Sequence, residues 1–151
     1  MNQKILEYRP PRIAILLLVT GGTLHLFTPL GDRPVLVSSF FAASLGLFGF
    51  SIMMWAWWQF KKRQVAICPT DHTKHLITGG IYRFTRNPMY LGMLFMLVGV
   101  AAWFGTAPFF AAAAAFFLII QLVFCPYEER KLLAAFGRDY SAYRMEVRRW
   151  I

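Results

Sequence analysis

The chain is short of acid. It carries seven Asp and Glu against sixteen Lys and Arg, a formal net charge of +9 over 151 residues. None of the acids falls in its long apolar stretches. A small transporter normally couples transport through an intramembrane charge, so that absence argues against one. Cysteine is scarce too: Cys68 and Cys125 are the only two, and both fall on the side inferred below to be cytoplasmic, where no structural disulfide is expected. Cys68, His72 and His75 have a spacing a metal could use. They are three ligands without a fourth, so the expectation is a polar loop and no metal site. The first apolar stretch ends in Thr28-Pro29-Leu30-Gly31-Asp32. It has no small-x-small pattern, and no cleavable signal is expected. There is no convincing internal repeat.

Apolar sequence is what the chain has most of. It is 58% hydrophobic with a mean hydropathy of +0.48, well outside the range of ordinary soluble domains. Four stretches carry no Asp, Glu, Lys or Arg: 13–30, 35–60, 88–105 and 107–125. A bilayer span needs about 20 residues, in a range of about 17 to 25. The expectation is one all-α integral-membrane domain over 1–151, with four transmembrane helices as two hairpins. Short cytoplasmic interfacial helices would follow in 126–151. Gly31-Asp32-Arg33-Pro34 and Gly105-Thr106-Ala107-Pro108 read as tight outer turns. Ser39, Ala42, Ala43 and Gly46 put small residues at helix-contact spacing.

Charge placement orients this bundle. With four spans, 15 of the 16 Lys and Arg lie on one side, with only Arg33 opposite. The positive-inside rule places both termini and the central loop in the cytoplasm of a cell membrane, expected to be a prokaryotic inner membrane. Membrane topology explains the positive charge, so no nucleic-acid partner is expected. His25 is an ionisable residue near the outer end of the first span, where a neutral, hydrogen-bonded imidazole is expected.

The polar segments have readable local structure. Asn87 suits a helix N-cap and Pro88 the first helical position. The third span would begin there, its free N–H groups facing the cytoplasmic interface. Cys125-Pro126-Tyr127-Glu128-Glu129 opens a second helical segment, with acids in its first turn. Gly137 ends it, and Asp139 can cap another short helix. Tyr140, Tyr143 and Val147 then share one face. That face is expected on the membrane surface, with Arg144, Arg148 and Arg149 near headgroups and Trp150 at the interface.

Two segments together resemble a known family. His75-Leu76-Ile77-Thr78-Gly79-Gly80-Ile81-Tyr82 through Arg86-Asn87-Pro88-Met89-Tyr90-Leu91-Gly92 is similar to the central motif of the isoprenylcysteine carboxyl methyltransferase and phospholipid methyltransferase superfamily. Glu128-Glu129, then Phe136-Gly137, Tyr140, Tyr143, Val147 and Arg149-Trp150-Ile151, resembles its C-terminal motif. The resemblance covers roughly the last half of the chain. It implies an integral-membrane enzyme using S-adenosylmethionine, with a lipophilic small molecule or lipid as substrate. By motif position, His75, Leu76, Gly80, Tyr82, Asn87, Pro88, Gly92 and Glu129 would bind the cofactor. Arg86, Glu128 and Tyr90 would act in catalysis. Many carboxyl methyltransferases of this group have histidine where this chain has Asn87. Asparagine is more reminiscent of phospholipid methyltransferases, so a phospholipid N-methyltransferase is the alternative.

The residue types suit that chemistry. The donor carries a sulfonium, ribose hydroxyls, an ammonium and a carboxylate. A glutamate can accept hydrogen bonds from the hydroxyls or the ammonium. Arg86 and the amides at the start of the third span can hold the carboxylate. Gly79 and Gly80 permit close backbone approach, and Tyr82 or Tyr90 can pack on the adenine or border the sulfonium. A carboxylate acceptor needs no base, whereas an amine must lose a proton. With no histidine in the core motif, a carboxylate or another small anionic or thiol-type acceptor is favoured. A catalytically silent scaffold of the same superfamily is the non-enzyme reading.

Overall fold

In a computed structural model of the chain, residues 10–27, 39–62 and 76–151 are described, and among them there is no strand. Five α-helices follow in order: α1 Pro10–His25, α2 Ser39–Lys62, α3 Pro88–Phe104, α4 Ala107–Ile119 and α5 Cys125–Glu146. A short 3-10 turn, Gly80–Arg83, precedes α3, and a π turn, Ile120–Phe124, joins α4 to α5. Two stretches, Ser39–Lys62 and Ala107–Glu146, are long and apolar enough to cross a membrane, and α3 is a shorter apolar helix. The Gly31–Pro34 turn and the Cys68, His72 and His75 loop lie outside the described residues.

Small residues set the helix pairing. A Cβ on Gly49 would stand 2.5 Å from the Gly92 carbonyl oxygen, and one on Gly92 would stand 2.5 Å from that of Gly49. Farther along the same seam, Gly99 meets Gly46 N and Ala42 O. Residue numbers rise on α3 as they fall on α2, so the pair is antiparallel. Gly21 of α1 packs against Phe109 and Ala112 of α4. Of the expected small-residue stripe, Ala42 and Gly46 join the seam, while Ser39 and Ala43 are exposed.

Gly105 ends α3 in the left-handed region, φ 65°, and its N–H closes on Ala101 O at 2.8 Å. The α3–α4 turn is therefore the tight Gly/Pro connection that the sequence implies. Beside it, Thr106 Oγ1 lies 3.2 Å from His25 Nδ1, and the imidazole packs against Phe104 and Phe109. The expected hydrogen-bonded His25 is thus in place.

The helix begun by α4 does not stop at residue 125. It runs through the π turn, in which Cys125 N–H bonds to Ile120 O, directly into α5. Pro126 has no N–H to give and crowds the carbonyl four residues back. The wider register of the π turn takes up that mismatch without ending the helix. The real break is Gly137, at φ 48° and ψ −112°, where α5 kinks as its glycine predicts.

The kink turns the end of α5 back onto the bundle. Tyr140, Tyr143 and Val147 are buried with Ala56 of α2 and with Ile77, Ile81 and Tyr82 of the loop before α3. The expectation of a surface-lying face is corrected here. These residues find apolar partners within the protein, and aromatic burial there is worth more than half-exposure at an interface.

Candidate functional site

The loop before α3 is held from three sides. Gly80 takes φ 63°, a conformation that favours glycine, and the Gln59 amide fills the space a Cβ would occupy. In the amide orientation that pairs donors with acceptors, Gln59 donates to Gly79 O at 3.1 Å. It then accepts from Ile81 N at 3.2 Å and from Trp55 Nε1 at 3.1 Å. Tyr143 Oη donates to the Tyr82 carbonyl at 2.7 Å, and the Tyr82 ring lies edge-on to Phe60. Burial raises the Tyr82 hydroxyl well above its ordinary pKa, with the Glu128 charge adding to it.

Asn87 occupies the N-cap position of α3, and Pro88 follows it. The side chain makes no capping bond, which departs from the sequence reading. Instead Asn87 Nδ2 donates to the Arg149 carbonyl at 3.1 Å, and its backbone N–H goes to Thr85 Oγ1 at 3.2 Å. Thr85 Oγ1 itself donates to the Arg149 carbonyl at 3.1 Å. The C-terminal segment thus competes successfully for the capping side chain.

Arg86 leaves this loop toward α5. Its Nη1 donates to Glu129 Oε1 at 3.0 Å and to Tyr140 Oη at 3.3 Å. Arg149 grips the same carboxylate with Nε on Oε1 and Nη2 on Oε2, both at 2.8 Å. Burial pushes the Glu129 carboxyl up. The Arg149 hydrogen bonds and the Arg86 and Arg149 charges outweigh that and leave it below its usual value. Arg149 is therefore bound to an acid of α5 and does not extend to headgroups as expected. Trp150 is drawn in with it: its Nε1 donates to Gln121 Oε1 at 2.8 Å, and its ring packs on Phe117.

Glu128 points to a different partner. Tyr90 Oη on the first turn of α3 donates to Glu128 Oε1. Burial is the main reason that the Glu128 carboxyl is pushed up to about 7, with Glu129 adding to it and the Tyr90 hydrogen bond and Lys131 opposing. Two neighbouring glutamates thus have opposite protonation tendencies. One is ionised and gripped by arginines; the other is poised near neutrality beside a tyrosine. Separation of this kind is what acid–base work requires.

Of the residues that the sequence singled out, Arg86, Asn87, Tyr90, Glu128 and Glu129 gather at the α3–α5 junction. Pro88 is buried as the first residue of α3, and Leu76 packs with the Tyr82 cluster. Gly92 faces α2, where its missing side chain serves helix contact. His75 lies outside the described residues. Sequence reasoning gave no site role to Gln59, Thr85, Tyr140 or Arg149. Tyr140 and Arg149 stand in the C-terminal motif, and a polar Gln59 closing an apolar helix was a further signal; their meeting at the junction depends on the kink at Gly137. Among the described residues there is no cluster of three metal-ligating side chains.

Comparison with known proteins gives a consistent set of relatives. The methanethiol S-methyltransferase of Mycobacterium tuberculosis is 32% identical over 118 residues, covering 78% of this chain and 43% of that protein. A probable protein-S-isoprenylcysteine O-methyltransferase of Oryza sativa subsp. indica is 37% identical over 75 residues, 48% of this chain and 38% of its own. The protein-S-isoprenylcysteine O-methyltransferase B of Arabidopsis thaliana is 35% identical over 80 residues, 51% of this chain and 39% of its own. The chain spans about two fifths of the length of these relatives. No solved structure matches. The phospholipid methyltransferase family model matches residues 37–139, both glutamates and the whole loop before α3 included, and the chain belongs to that family.

Proposed function

We propose that the chain is an S-adenosylmethionine-dependent integral-membrane methyltransferase whose acceptor is a lipophilic thiol. The observation that carries the reading is the pairing of an ionised Glu129, held by Arg86 and Arg149, with a near-neutral Glu128 held by Tyr90. Antiparallel pairing brings this junction to the helix ends that carry Arg12, Lys61, Lys62 and Arg86. By the positive-inside rule that end is cytoplasmic, with four spans in the membrane.

The residues present fit the methyl donor. Arg86 Nε is buried and has no hydrogen-bond partner among the described residues, so this arginine can still give a donor to a carboxylate. The first-turn amides of α3 have no intrahelical partners and add to that site. Glu129 can accept from an ammonium or from ribose hydroxyls. When bound, S-adenosylmethionine supplies an electrophilic methyl group on a sulfonium. The protein's task is then to align the acceptor and exclude water.

Glu128 decides the acceptor class. A carboxylate acceptor would leave this base without work, since it is already ionised. An ordinary thiol, near pKa ~8.5, lies within about two units of Glu128, whereas an alkyl ammonium near ~10.4 lies more than about three above it. Glu128 would take the thiol proton while Tyr90, on its Oε1, holds the carboxylate in place; the bound donor would supply the methyl group and leave as S-adenosylhomocysteine. The thiol acceptor agrees with the activity for which the mycobacterial relative is named. The test is a transfer assay with isotopically labelled donor on the protein in lipid bilayers, offered alkyl thiols, prenyl-thiol acids and amine-headed phospholipids. Label on thiol sulfur is expected. Label only on the phospholipid amine overturns the thiol in favour of N-methylation, and label only on the carboxyl of the acids overturns it in favour of O-methylation.

A further inference from the structure

The last residues fold back onto the junction in a way that the donor site alone does not explain. Val147 leaves α5 with extended backbone, and the segment after it runs beside the loop before α3. The Arg148 carbonyl accepts Arg86 N–H at 3.0 Å. The Arg149 carbonyl accepts Thr85 Oγ1 and Asn87 Nδ2, each at 3.1 Å. The Arg149 side chain takes both oxygens of Glu129, and its Nη1 reaches the Gln121 carbonyl at 3.5 Å. Two consecutive residues therefore tie the loop, the α5 acid and the π turn together.

The two arginines do different things to Glu129. Arg86 touches a single oxygen and by itself leaves the carboxylate free to rotate. A guanidinium fork on both oxygens fixes the carboxylate plane. We infer that Arg149 is a positioning residue of the donor site. Its side chain sets the orientation of the Glu129 carboxylate, and its carbonyl holds Thr85 and Asn87 so that Arg86 reaches the same oxygen. The inference rests on the donor reading above. Lysine can replace the charge at this position but not the fork.

Glu129 is faced by Arg86 from the loop and by Arg149 from the C-terminal segment. Glu128, Tyr140, Arg144 and Cys125 face it from α5 itself. Burial raises its carboxyl, and the Arg149 hydrogen bonds are the strongest influence lowering it. Loss of Arg149 must therefore move the carboxyl upward while Arg86 remains.

The experiment uses the full chain in bilayer discs with carboxyl-13C-labelled glutamate, and it has two readouts. One is the NMR titration of Glu129 with no donor present; the other is calorimetric binding of S-adenosylhomocysteine. Arg149→Gln is expected to shift the Glu129 titration upward and to weaken binding roughly tenfold or more. Arg149→Lys should keep the titration low yet fail to restore full affinity, and exposed Arg138→Gln should behave as wild type. Unchanged titration and affinity in Arg149→Gln overturn the role while the donor reading stands. A wild-type protein that binds no S-adenosylhomocysteine overturns the donor reading, and the role falls with it. If Arg149→Gln does not fold, Arg149→Lys carries the test: wild-type affinity overturns the role, and weakened binding with Glu129 still ionised supports it.

Discussion

Arg86 and Glu129 are 43 residues apart in sequence and meet at 3.0 Å, joining the loop before α3 to the start of α5. Both side chains are nearly buried; removing Glu129 strips two arginines of their charged acceptor, whereas removing Arg86 leaves Glu129 to Arg149 alone. Glu129→Gln is expected to lower stability by about 1–3 kcal/mol, since two arginines lose a charged acceptor. The sign with pH follows from the depressed carboxyl. Its contribution is present above the ordinary glutamate range and is lost as pH falls through the folded-state value. Denaturation in lipid discs across about pH 3 to 6 should show that acid limb in the wild type and a weaker one in Glu129→Gln.

Glu128 has the opposite sign. Its carboxyl rises from 4.5 to about 7 on folding, so the folded state holds a proton that the unfolded state has released. Its contribution is present below the unfolded value and is lost as pH rises toward 7. Glu128→Gln should remove that slope and be the more stable protein above neutrality. Its turnover should fall far more than its affinity for the donor, because the base is gone and the Glu129 site remains. Single-turnover rates that stay at the wild-type level would remove Glu128 as the base.

The Gly49–Gly92 contact allows no side chain. A Cβ at either position would stand 2.5 Å from a carbonyl oxygen of the opposite helix, so Gly92→Leu or Gly49→Leu must push α2 and α3 apart. Overpacking of this kind costs about 1–3 kcal/mol. Gly46 lends its backbone to the seam beside Gly99 but should tolerate alanine, since its own Cβ would meet nothing within 4 Å. Thermal unfolding of the three variants in one lipid environment checks the order.

Orientation can be tested at residues that are exposed in the fold. In a background without other cysteines, Arg138→Cys should label only from the cytoplasmic face and Ala107→Cys only from the outer face, because the basic residues cluster at the α3–α5 junction. Labelling of both from one face would contradict four crossings.

Much of this was legible in the sequence because its signals are local. Pro88 and Gly105 bracket α3, Gly137 breaks α5, and the uncharged stretches mark the helices within a few residues. Arg86, Tyr90, Glu128 and Glu129 were singled out by the family resemblance, and they converge in space. The fate of the C-terminal segment was not legible. Arg149 and Trp150 look like interfacial anchors by type, and only the kink at Gly137 turns them toward Glu129 and Gln121. Gly92 carries a second demand that spacing did not announce. A glycine within a binding motif invites a ligand, and a Cβ here would also meet the Gly49 carbonyl across a helix seam. Asn87 likewise kept its cap position but gave its side chain to a carbonyl 62 residues away.

The donor site stands or falls on Arg86 and Glu129, and binding calorimetry with S-adenosylhomocysteine reads it without any assay of turnover. The purified protein in lipid discs should bind this product. Arg86→Gln and Glu129→Gln should each weaken binding roughly ten- to hundred-fold, the cost of a charge-assisted hydrogen bond, and exposed Arg83→Gln should leave it unchanged. Folded Arg86→Gln and Glu129→Gln proteins that bind as tightly as the wild type would put the donor somewhere else.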